Sequence, residues 1–123
     1  MNAPFLCGTI AAWAAAQVAL AIFFALVYGL GRRARRREPE YLLFGLLCCA
    51  LAITSAGLAW SYAITDAAGW LNAMVLGHVG AIACTGIGLH LAFYYAGVSV
   101  PRPLLIAVYS IALVFESLNL AGL

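Results

Sequence analysis

Apolar residues fill this chain in four long runs, separated by three short polar breaks. The runs cover residues 10–30, 41–63, 70–96 and 104–123. A helix needs roughly 20 apolar residues to cross the hydrocarbon core of a bilayer, and all four runs reach about that length. The pattern predicts an all-α, polytopic membrane protein, with four transmembrane helices in a bundle and one domain over residues 1–123. The breaks carry the chemistry that stops or starts helices. The first is GRRARRREPE, residues 31–40, where Pro39 suits a helix start because its missing N–H is not needed there. The second is TDAAG, residues 65–69, in which Thr65 or Asp66 can cap the next helix. The third is GVSVPRP, residues 97–103, where glycine and two prolines interrupt the helix.

The first break also sets the orientation. Arg32, Arg33, Arg35, Arg36 and Arg37 are five of the six basic residues in the chain. A short Arg-rich loop beside a span is retained on the cytoplasmic side. So short a run, squeezed between spans, reads as a topology anchor rather than a polybasic patch for anionic lipid or nucleic acid. The N-terminus, the 65–69 turn and the C-terminus then lie outside. The 97–103 loop lies inside, and it carries the sixth basic residue, Arg102. Trp13, Trp60, Tyr62 and Trp70 fall at the outer interface, and Tyr28, Tyr41, Tyr94 and Tyr95 at the inner one, as interfacial aromatics do.

Composition agrees with the pattern. Of 123 residues, 67% are hydrophobic and 8% charged, with no lysine. Soluble domains carry about 25% charged residues. The place expected for such a chain is a membrane, crossed several times, with lipid as its solvent and no nucleic-acid partner. The N-terminus lacks a basic leader region, and the first run is long enough to span, so no cleavable signal is expected. Cys7, Cys48, Cys49 and Cys84 lack metal-ligand spacing and read as small packing residues. There is no phosphate loop, HExxH, CxxC, GxSxG or dinucleotide fingerprint, so a non-enzymatic role is expected and no cofactor is predicted.

Two stripes of small residues predict where helices meet. Gly77, Gly80, Cys84 and Gly88 mark the third span, which reads as an interior helix, and Gly45, Cys49, Ala52 and Ala56 mark the second. Small residues let backbones approach closely in lipid. Packing within the chain outranks a face for a second copy or for other membrane-protein helices, and both of those partners stay open.

Ionisable side chains in a span are functional-site candidates by default. His78 lies roughly 12 Å below the outer end of its helix and Glu116 roughly 10 Å, from the 1.5 Å rise per residue. Gln17, Ser55 and Asn119 fall in the same outer third. The five form a polar layer with three competing roles: interhelical hydrogen bonding, an outward-facing ligand pocket, or a proton-coupled pair of Glu116 with His78. His90 lies near the inner interface. His78 and His90 are about 18 Å apart along one helix and cannot share a metal, though either could hold a haem or pigment.

From Gly77 the chain reads GHVGAIACTGIGLHLAFYYAGVSVPRPLLIAVYSIALVFESLNLAGL, residues 77–123. This resembles the N-terminal seven-helix membrane region of bacterial sensor histidine kinases, over its first four helices. The carrying features are a small-residue stripe ending in an aromatic, His-containing turn, a Pro-containing inner loop and a following helix. The resemblance implies signal input to a cytoplasmic kinase, from the front half of such a region or a stand-alone relative. No dimerisation, phospho-acceptor or ATP-binding part is present in these residues. The expected role is a sensor or signal-input module. The alternative is an accessory subunit of a larger respiratory or photosynthetic membrane complex, packed against partner helices and contacting a haem, pigment or quinone.

Overall fold

The computed structural model describes residues 3–33 and 39–122, with side chains for 6–31 and 39–122. Within those residues the chain is all-helical: α1 Ala3–Arg33, α2 Pro39–Ala63, α3 Ala67–Tyr95 and α4 Arg102–Leu120. Four segments are long and apolar enough to cross a membrane: Leu6–Gly31, Pro39–Ala63, Ala67–Tyr95 and Arg102–Leu120. Each overlaps one of the four apolar runs. Arg32 and Arg33 end α1, and their side chains lie outside the described residues. Arg35, Arg36 and Arg37 lie outside them altogether.

Local chemistry explains the boundaries. α2 starts at Pro39, which supplies a fixed helical φ and gives up no needed hydrogen bond. Asp66 caps α3: its backbone is extended (φ −94, ψ 147) and its carboxylate accepts from the Gly69 N–H at 2.7 Å. Two residues beyond the end of α3, Gly97 has a φ of 65, in the left-handed region. The Gly97 N–H donates to Tyr94 O at 3.1 Å and the Val98 N–H to Phe93 O at 3.2 Å, closing the last carbonyls of the helix. Pro101 and Pro103 flank the first residue of α4.

Among the described residues each helix packs only on its neighbours in sequence: α1 on α2, α2 on α3, α3 on α4. Short connections make consecutive helices adjacent, but α4 does not return to α1. The bundle is therefore open, a row with two free edges. Burial is uneven along it. α2 has seven buried residues, Leu43, Gly45, Cys48, Ala50, Ala52, Gly57 and Ala59. α3 has four, Ala73, Gly80, Gly86 and Leu91, and α4 has none. The third span was expected to be an interior helix, and in this row α2 and α3 are both interior. Both α2 and α3 have two neighbours, but only α2 is closely covered on both sides.

The two faces of α2 are built alike, from small residues. Towards α1, a Cβ on Gly45 would lie 3.5 Å from Phe24 Cβ and 3.6 Å from Ala21 O, an ordinary contact. The Cys7 thiol donates to Ala59 O at 3.4 Å near the other end of this seam. Towards α3, Gly57 meets the backbone of Gly77 and Ala73 so closely that a Cβ has no room. Gly80 meets Ala50 O and Thr54 in the same way. Near residue 40 an aromatic cluster joins three helices. Phe24 stacks on Phe44 (5.3 Å) and Tyr41 (6.4 Å), and Phe44 meets Tyr95 (5.9 Å).

Candidate functional site

The five residues of the expected polar layer fall along three different seams. Gln17 is the one buried polar residue among those described, at 6% exposure on α1, whose only neighbour is α2. Ser55 lines an open groove on the same seam, with Thr9, Ile10, Trp13 and Leu58. His78 is exposed and borders a small groove between α2 and α3 formed by Thr54, Leu58, Met74, Gly77 and Ala81. Glu116 and Asn119 belong to the α3–α4 seam. The Asn119 amide Nδ2–H donates to Val75 O at 3.1 Å. The Glu116 Oε2 is covered and has no hydrogen-bond partner.

His78 and Glu116 share a depth but form no ion pair or hydrogen bond, and helical geometry explains why. Two grooves flank the α3–α4 seam. One contains Thr85, Val108, Ile111 and Phe115, and the other contains Ala83, Ile87, Tyr109, Leu113 and Glu116. At 100° per residue, Thr85 is about 200° from both Ala83 and Ile87, so the grooves open on opposite sides of the seam. His78 precedes Thr85 by two turns, within about 20°, and so lies on the side away from Glu116.

Of the predicted packing residues, Gly77 and Gly80 face α2, and Cys84 sits one turn further along beside Thr54. Gly88 does not join them: nothing lies within 4 Å of where its Cβ would be. On α2, Gly45 and Ala52 are buried, while Cys49 and Ala56 are exposed. The stripe that meets α3 is Ala50, Thr54 and Gly57, of which Ala50 and Gly57 are one residue on from the predicted Cys49 and Ala56. That shift is about 100° of rotation, and small residues occupy both registers. Sequence spacing alone could not choose between them.

The α3–α4 seam contains groups the sequence reading missed. Tyr109 packs its ring against Gly86, where a Cβ would lie 3.5 Å from the ring. Its hydroxyl lies 3.0 Å from His90 Nδ1. Thus α4 is held to α3 by two polar contacts, His90–Tyr109 towards one end and Asn119–Val75 towards the other. Tyr109 is two turns from Glu116, which was the available signal that both share one face of α4. For a haem or pigment, His90 Nδ1 is engaged by Tyr109, which leaves Nε2. The described residues include no group of three His, Cys, Asp or Glu side chains arranged to hold a metal ion.

No protein-family model, curated protein or solved structure matches the chain.

Proposed function

We propose that this protein is a non-enzymatic sensor or signal-input module of a bacterial inner membrane, with its N- and C-termini outside and the Arg loop in the cytoplasm. The observation that carries the proposal is the way α4 is held. It has no buried residue, and two side-chain hydrogen bonds fasten it to α3. Interhelical hydrogen bonds in membranes average only about 0.6 kcal/mol, so two of them hold a helix lightly. Elements that move in signalling come from the least stable parts of a fold. A stimulus that favours a shifted α4 then has little packing to overcome. The resemblance of residues 77–123 to sensor-kinase membrane regions supports the same role. The free edges of the row favour a second reading, an accessory subunit whose α1 or α4 packs against partner helices of a larger complex.

Purification from native membranes in mild detergent, with mass spectrometry and a visible absorption spectrum, separates the two. Recovery with a signalling kinase and no visible chromophore supports the sensor. Recovery within a respiratory or photosynthetic complex, with haem or pigment absorbance, replaces it by the subunit. Orientation is tested with a membrane-impermeant maleimide, which should label Ala67→Cys from outside and spare Ala34→Cys. The reverse pattern overturns the topology.

A further inference from the structure

We infer that the α3–α4 groove containing Glu116 is a binding site for a small lipophilic amine. Three observations lead there. The groove has a volume of about 210 Å³ and apolar walls from Ile82, Ala83, Ile87 and Leu113, with Tyr109 and Glu116 as the lining residues that carry polar groups. The Glu116 Oε2 is covered by protein yet accepts no hydrogen bond. A covered carboxyl oxygen without a donor is costly, and more so in lipid, where water does not compensate.

The third observation is that, among the described residues, no cation reaches this groove. His78 lies on the opposite side of the seam. His90 is bonded to Tyr109, which lies seven residues, about two turns of α4, from Glu116. Arg102 begins α4, fourteen residues away or about 21 Å along the axis. The described residues therefore leave the donor to be supplied by a ligand. An ammonium group supplies both an N–H for Oε2 and a charge to balance a carboxylate. The apolar walls accept the hydrocarbon part of the same molecule, and the Tyr109 ring adds an aromatic surface that attracts a cation. Ligand pockets for drug-sized molecules span about 300–1,000 Å³, so this smaller groove fits a single ring or a short chain. The site is independent of the signalling role, because an accessory subunit would contain the same groove.

The test is calorimetric titration of the purified protein in detergent with phenethylamine, and with 3-phenylpropionate as a probe of similar size and opposite charge. Saturable binding of the amine and none of the carboxylate is expected. Glu116→Gln should weaken amine binding by about tenfold or more, the value of a hydrogen bond to a charged group. Ala83→Phe keeps the carboxyl but fills the groove, and should abolish binding while the protein retains its helical circular dichroism. Equal uptake of both probes, no uptake of either, or amine binding unchanged in both variants would overturn the site.

Discussion

α2 and α4 are both apolar helices of one small protein, but they are held by different means. α2 lies between two neighbours with glycine and alanine on both faces, so backbones come together at Gly57 and Gly80. α4 touches one neighbour, buries no residue, and relies on His90–Tyr109 and Asn119–Val75. Lipid chains are as apolar as leucine, so helices in a membrane gain little by hiding apolar side chains from solvent. Close packing and polar contacts decide which pairs stay together. By that measure α1–α2–α3 is the frame of the protein, and α4 is the part free to shift.

The largest effect should come from breaking the frame. Gly80→Leu places a branched side chain where Ala50 O and Thr54 already stand, and backbone cannot rotate aside as a side-chain tip can. Overpacking typically costs about 1–3 kcal/mol and here should reach the upper end or beyond, read as a large fall in detergent melting temperature. Gly57→Ala makes the same comparison with one methyl group. It should still destabilise by about 1 kcal/mol or more, because the obstruction is the Gly77 backbone. A melting temperature equal to the parent would show that α2 and α3 are not in contact there.

Effects on α4 should be smaller and differently distributed. Tyr109→Phe and Asn119→Leu each remove one fastening and should each cost about 0.6 kcal/mol, at most about 1.7. Combined, they should raise amide hydrogen exchange in α4 while α2 stays protected. Uniform loss of protection in all four helices would mean that α4 belongs to the frame. Gly97→Ala should cost about 1 kcal/mol, since its φ of 65 is unfavourable for a residue with a Cβ. The smallest effect belongs to Gly88→Leu, within about 0.5 kcal/mol, since open space surrounds the position. A loss as large as that of Gly80→Leu would place α3 in a different rotation.

Much of the fold was legible in the sequence because it depends on one-dimensional features. Run length against bilayer thickness gave four helices, and Pro39, Asp66 and Gly97 marked their ends through local hydrogen bonding and φ preference. Gly77 and Gly80 were readable as contact points because few side chains tolerate close backbone approach. Rotation about each helix axis was not readable. The predicted and observed stripes on α2 are both made of small residues, so only the packed structure shows Gly57 against Gly77 and leaves Cys49 and Ala56 exposed. Depth was equally insufficient for the polar residues. His78 and Glu116 lie at one level, yet helix rotation sends them to opposite sides of the α3–α4 seam. The sequence determines span number and the ends of the helices, since those follow from composition and neighbours along the chain. Which polar groups meet was decided by the tertiary structure, since that depends on the turn of each helix against the next.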